Sequence, residues 1–466
     1  MKDTIAAIAT GLSRAGISII RISGPEAAMV ASRLFCVGKK DALRPVDVGN
    51  FDSHTVHYGF IVDGAEVIDE VMLLYLKGPR TFTTEETVEI DCHGGILVTK
   101  KILSAVLKNG ARLAEPGEFT KRAFENGRID LSQAEAVMDV IAAGNDLALK
   151  NSVRQLRGSL RTRILAIRDE ILSDVATIEA ALDQPEYYSL EGFSSKLLET
   201  VTAQQETISK LIRSFDDGRM LSEGIKTVIL GKPNVGKSSL MNLLLGEDRA
   251  IVTDIAGTTR DVLSEEMRLN GIPLILIDTA GIHETADPVE QIGVNRAKGQ
   301  AGEADLILYV ADASEPLTDE DEMILRSVTK GKIIPVRNKT DLTVRTDEET
   351  FRAFLTRFSI TEEPVSVSAK EGSGLTELSE RISELFFKGC LEADDEIVIT
   401  SERQKECLNE AYESLSRVRE SLASGMPEDF LSIDLMGAYG ALSRILGEDA
   451  DEDLINRIFS QFCLGK

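Results

Sequence analysis

Residues Gly231-Lys232-Pro233-Asn234-Val235-Gly236-Lys237-Ser238 follow the strand-like run 225–230 and precede the helical segment SLMNLLLG. A glycine-rich turn between a strand and a helix aims backbone amides and a helix N-terminus at one point, which makes a cradle for phosphate groups. Lys237 would neutralise the outer phosphates and the Ser238 hydroxyl would ligate Mg²⁺. Asp278-Thr279-Ala280-Gly281 closes the run LILI, bringing a carboxylate toward the metal and a pliable backbone beside the last phosphate. Asn338-Lys339-Thr340-Asp341 ends the run KIIPVR, and Asp341 can accept from the N1–H and exocyclic amino group of guanine, a pattern adenine does not offer. Ser368-Ala369-Lys370 closes the next strand, where a base-contacting loop belongs. These elements in this order predict a P-loop site that binds and hydrolyses GTP.

Between the first two elements lies the polar loop Thr253-Asp254-Ile255-Ala256-Gly257-Thr258-Thr259-Arg260-Asp261. By itself it is equally an ordinary turn, but its position makes it a switch, with Thr259 as a second protein ligand to Mg²⁺. Switch GTPases place a water-orienting glutamine just after D-T-A-G, whereas this chain has Ile282. Glu290 is the nearest carboxylate suited to that task, yet Asp287-Pro288-Val289-Glu290 also reads as an N-cap, a first-turn proline and a capping-box glutamate. Both roles stay open. The expected nucleotide contacts are Asn234, Val235, Gly236, Lys237, Ser238, Ser239, Thr253, Asp254, Ile255, Ala256, Gly257, Thr258, Thr259, Asp278, Thr279, Ala280, Gly281, Asn338, Lys339, Asp341, Ser368, Ala369 and Lys370.

The elements that must hold these residues follow from the hydrophobic pattern. Short alternating runs punctuated by glycine and proline predict an α+β domain over 1–118. Helical periods take over across 119–217 and return across 389–466, while strands alternate with helices across 218–388. The expected fold is a multidomain α/β plus α chain. A discontinuous helical domain receives an inserted P-loop domain with a doubly wound, mostly parallel sheet. At 466 residues, with 43% hydrophobic and 28% charged residues, the chain is long enough for roughly three folded domains. No apolar run is long enough to cross a bilayer and the start carries no signal-peptide pattern, so a cytoplasmic protein without membrane contact is expected.

Cys36, Cys92, Cys390, Cys407 and Cys463 form no C-x-x-C pair, which argues against a disulfide framework or structural zinc. The net charge of −25 excludes broad nonspecific affinity for nucleic acid, so any RNA contact needs a local patch. Lys150, Arg154, Arg157, Arg161 and Arg168 recur at helical spacing and predict a basic stripe on one helix face. Such a stripe is a candidate tRNA contact, with a solvated face paired with nearby acids such as Asp169 and Glu170 as the reading the charge pattern favours.

The segments GKPNVGKSS, TDIAGTTRD, DTAG and NKTD resemble the GTPase domain of the tRNA modification GTPases of the MnmE (TrmE) family. RISGPEA near the start, CHGG at 92–95, RLAEPGEFTKRAFENGRIDLSQAEA at 112–136 and the terminal FCLGK extend the resemblance over essentially the whole chain. The resemblance implies that Asn234, Thr253, Ile255 and Thr258 coordinate K⁺ beside the phosphates and that Glu290 orients the attacking water. It implies an N-terminal folate-binding and dimerisation domain that takes 5-formyltetrahydrofolate or a related tetrahydrofolate through Arg21, Glu89, Arg128 and Lys466. Without it, Glu89 would be a solvated strand carboxylate and Cys463 a small buried hydrophobe; with it, Cys463 becomes a candidate catalytic residue. It further implies a homodimer that joins the flavoprotein MnmG (GidA) as a heterotetramer and adds a carboxymethylaminomethyl-type group at C5 of the wobble uridine of certain tRNAs. The chain has no dinucleotide-binding fingerprint of its own, consistent with a redox partner. A rival reading is a GTP-dependent RNA or ribosome assembly switch that makes no covalent change.

Overall fold

The computed structural model describes residues 3–39, 42–184, 186–187, 192–247, 265–270, 272–277, 304–328, 331–392, 397–448, 450–462 and 465. The site candidates at 253–259, 278–281, 290, 463 and 466 lie outside the described residues. The chain divides into two compact units, Met1–Met138 with Gln155–Tyr188 and Ser432–Lys466, and Asp139–Arg154 with Ser189–Leu431.

The first unit is built on an eight-stranded sheet. Its strands are β1 (Ile5–Ile8), β2 (Ile17–Ser23), β3 (Phe35–Lys39), β4 (Ala42–Pro45), β5 (Thr55–Asp63), β6 (Glu66–Leu76), β7 (Thr87–His93) and β8 (Arg112–Leu113). Their order is β4-β3-β5-β6-β7-β2-β1-β8, antiparallel except for β1 beside β8. Period-2 alternation sorts the two faces. Ile20, Ile22, Val71, Leu73, Tyr75, Val88 and Ile90 are buried with the helices Ala27–Ser32 and Ile96–Lys108. Alternation and cross-strand register put Arg21, Glu89, Met72 and Tyr58 on the other face.

The second unit holds a six-stranded sheet in the order β10-β11-β9-β12-β13-β14. Its strands are β9 (Ile225–Leu230), β10 (Glu265–Leu269), β11 (Ile272–Leu276), β12 (Leu306–Asp312), β13 (Lys332–Asn338) and β14 (Val365–Ser366). Neighbours are parallel except β10 with β11. The sequence LILYVAD of β12 is buried at every position, as a parallel strand covered on both faces must be. One core cluster joins the strands to the helices Lys237–Glu247 and Leu375–Glu392 through Leu240, Leu244, Leu378 and Ile382. Tyr309 and Ala311 form another with Leu325, Phe351 and Phe354. The helix Phe193–Glu223 is tied to the helix Glu402–Ala423 by Gln205, whose Nε2 donates to Ser416 Oγ at 2.8 Å.

Candidate functional site

The loop after β9 leads directly into the helix Lys237–Glu247, so its glycines and the helix N-terminus lie at the carboxyl end of the central strands. Asn234 has φ 61° and Gly236 has φ 95°. Glycine is required at 236, because a Cβ there would stand 2.2 Å from Asn338 Nδ2. Lys237 Nζ donates to the carbonyls of Gly231 at 2.7 Å and Lys232 at 2.6 Å, which folds the loop round the ammonium. Ser238 and Ser239 are exposed in the first helical turn, where a hydroxyl can reach a ligand.

The segment 338–341 leaves the end of β13 beside this loop. Buried Asn338 donates through Nδ2 to the Val235 carbonyl at 2.8 Å and accepts through Oδ1 from the Ala369 N–H at 3.1 Å, so one amide joins the phosphate loop to the segment 368–370. Lys339, at φ 60°, donates to the Asn234 carbonyl at 2.7 Å and to Asp312 Oδ2 at 2.6 Å. Burial acts to raise the Asp312 carboxyl, but Lys339 and the donors of Ser314 outweigh it and hold the group below the usual carboxylate range. Ser368 donates to Asp341 Oδ1 at 2.7 Å, which orients that carboxylate and leaves its second oxygen as an acceptor. Lys370 is exposed. The arrangement can wrap anionic phosphates and read the polar edge of a purine. Asp312 belongs to this network without being part of any of the sequence motifs; its signal in the sequence is a carboxylate closing an otherwise apolar strand.

Arg21 Nε lies 2.7 Å from Glu89 Oε1, the pair being direct cross-strand neighbours on β2 and β7. The Arg21 guanidinium also stands 5.9 Å from the Phe82 ring centre and 5.7 Å from that of Phe119. Arg128 stacks over Phe82 at 4.9 Å and donates to its carbonyl at 3.1 Å. A cavity of about 660 Å³ beside them is lined by Phe82, Arg128, Asn126, Arg80 and His54. Gly465 packs so closely on β1 that a Cβ would meet the Ile8 carbonyl oxygen at 2.2 Å, and β1 is the neighbour of β2. Arg21 and Arg128 thus flank Phe82, with Glu89 held by Arg21, and nothing in the local sequence marks Phe82 out.

The basic stripe is corrected. The helix Asp146–Leu156 ends before a turn at 157–158, and Gly158 at φ 88° begins the helix Ser159–Asp183, so no continuous helix carries the five residues. Arg168 is buried: it donates to Tyr439 Oη and Glu448 Oε2, each at 2.6 Å, and lies 4.5 Å from the Tyr439 ring centre. Arg161 pairs with Asp130 at 3.3 Å, and Arg157 is exposed. Cys36, Cys92 and Cys407 are buried thiols.

Two family models match the chain: the MnmE helical domain over residues 131–463 and the GTP-binding protein TrmE N-terminus over residues 4–128. The tRNA modification GTPase MnmE of Lachnoclostridium phytofermentans is 55% identical over 465 residues, covering 100% of this chain and 99% of the relative. That of Lactobacillus delbrueckii subsp. bulgaricus is 48% identical over 470 residues, covering 100% and 98%. Among solved structures, Aquifex aeolicus Era bound to GDP·AlF₄⁻ is 31% identical over 41% of this chain and 66% of that chain, at a TM-score of 0.27, too low to compare the two as wholes. With both family models and full-length relatives in agreement, the chain belongs to the tRNA modification GTPase MnmE family.

Proposed function

We propose that this P-loop GTPase is potassium-dependent and works with a flavoprotein to install a carboxymethylaminomethyl-type group at C5 of the wobble uridine of certain tRNAs. The observation that carries this reading is the coexistence, in one chain, of the guanine-nucleotide network around Asn338 and Lys339 with a separate arginine–carboxylate–aromatic cluster around Phe82. A pure timing switch has no use for the second. The N-terminal part, 1–118, would bind folate and dimerise; 119–217 and 389–466 would form one helical domain; 218–388 would be the inserted GTPase domain.

In the nucleotide site Asp341 would select guanine and Lys237 would hold the outer phosphates. The exposed Ser238 hydroxyl at a helix N-terminus suits Mg²⁺, with Thr259 as its companion. Asn234, whose carbonyl is already taken by Lys339, keeps an exposed side chain for K⁺, with Thr253, Ile255 and Thr258. When bound, the two cations supply positive charge to the phosphates. Glu290 would orient the water.

The Arg21–Glu89 pair and the Phe82 ring suit a tetrahydrofolate, whose pterin offers polar edges and an aromatic-like face and whose tail is a carboxylate. Arg128 and Lys466 would complete that site, and Cys463 would stand beside it. The apolar residues Val56, Tyr58 and Met72 remain exposed on β5 and β6, favouring a homodimer. That dimer would join the flavoprotein as a heterotetramer in the cytoplasm. Among the described residues, no helix is long and apolar enough to cross a membrane.

Calorimetric titration with 5-formyltetrahydrofolate tests the modification reading. Wild-type chain is expected to bind, and Arg21→Ala to weaken binding by roughly 10- to 100-fold, the value of a charge-assisted pair. No binding by the wild type would favour the assembly switch.

A further inference from the structure

Lys232, the residue after the first glycine of the phosphate loop, is 9% exposed. Its ammonium lies 2.8 Å from Asp321 Oδ2 and 3.3 Å from Thr318 Oγ1. Asp321 is wholly buried and accepts from Tyr309 Oη at 2.9 Å and from the Thr318 N–H at 2.8 Å. It already completes the capping box of the helix Asp319–Ser327, a task that needs no lysine. A buried ion pair is also a poor device for stability alone, since apolar side chains of similar volume commonly do as well. The same Lys232 offers its backbone carbonyl to Lys237 Nζ at 2.6 Å, next to the Gly231 carbonyl at 2.7 Å. One residue therefore joins a buried anchor, through its side chain, to the phosphate-binding ammonium, through its main chain.

We propose that Lys232 is a positioning residue for phosphate binding: its ion pair with Asp321 fixes the first turn of the loop, so that the Gly231 and Lys232 carbonyls hold the Lys237 ammonium where the outer phosphates bind. This rests on reading the loop as the nucleotide site. Without the pair the turn at 231–232 loses its anchor and Lys237 samples other positions, which weakens GDP and GTP alike because both present the β-phosphate.

The test uses the full chain, a fluorescent GDP analogue and steady-state GTP turnover, with circular dichroism and thermal melting on every variant. Lys232→Met and Asp321→Asn should each weaken GDP binding about tenfold (~1.4 kcal/mol) and raise KM for GTP by a similar factor. Their kcat at saturating GTP should change by less than about threefold, because only a shared ground-state contact is lost. Lys232→Arg keeps the charge pair and should restore affinity to within about twofold. Should Lys232→Met not fold, Lys232→Gln, which retains a hydrogen bond to Asp321, carries the same comparison with about a threefold loss. Lys237→Ala separates the two readings. If it loses nucleotide while folded Lys232→Met, or its glutamine substitute, binds like wild type, the positioning role is overturned and the nucleotide site stands. If Lys237→Ala itself binds like wild type, the nucleotide reading falls.

Discussion

At the scale of single residues, most of the nucleotide network hangs on polar side chains that each serve two partners, Asn338 buried and Lys339 partly so. Asn338 bridges the phosphate loop and the segment 368–370, and Lys339 bridges Asn234 and Asp312. Asp341 differs, because Ser368 engages one oxygen and the other is left as an acceptor, which the proposed function assigns to the base. Asp341→Asn replaces an acceptor by a donor-bearing amide, so it should lose GTP and favour a purine with a carbonyl where guanine carries its amino group. The ratio of kcat/KM for GTP over xanthosine triphosphate should fall by roughly 10²- to 10⁴-fold. An unchanged ratio would remove Asp341 from base selection.

At the scale of elements, the helix Glu118–Glu125 is held to the strand region by charge. Buried Arg122 reaches Asp3 at 2.7 Å, Glu118 at 2.9 Å and Glu85 at 3.2 Å, and Arg112 reaches Asp3 at 2.6 Å. The hydrogen bond from Arg112 lowers the Asp3 carboxyl most, burial opposes it, and Arg122 adds to the lowering, leaving a pKa of about 2 against an ordinary 3.8. A depressed carboxyl stabilises the fold above its unfolded pKa and ceases to do so as pH falls through the folded value. Asp3→Asn should therefore melt below wild type at pH 7, with the gap closing as pH drops from about 4 to about 2. A gap independent of pH would assign the loss to packing.

The phosphate loop and the segment 338–341 were legible in the sequence because their chemistry demands fixed local spacing beside strands. Lys232–Asp321 and the ring of Phe82 beneath Arg21 were not, since chain reversals bring together residues whose separation carries no local signal. The basic stripe misled for a related reason: the turn at 157–158 interrupts the helix while the arginines keep helical spacing, and Glu448, far along the chain, claims Arg168.

At the scale of the whole molecule, a net charge of −25 confines any contact with anionic RNA to a local basic patch, and of the former stripe Arg157 is exposed whereas Arg168 is buried. The proposed self-association has a clearer candidate surface. Tyr58 and Met72 are cross-strand partners on β5 and β6, 59% and 51% exposed. Tyr58→Lys with Met72→Asp, which sets opposite charges across the strand pair, should convert a dimer to a monomer in analytical ultracentrifugation while far-ultraviolet circular dichroism stays unchanged. A dimer that survives both substitutions would place its interface elsewhere. The central claim, that GTP hydrolysis here serves uridine modification, is tested most directly by deleting the gene from its host and digesting bulk tRNA for nucleoside mass spectrometry. Loss of carboxymethylaminomethyl-type uridine, restored by the wild-type chain but not by Glu290→Ala, is the predicted result; an unchanged uridine profile in the deletion strain would contradict it.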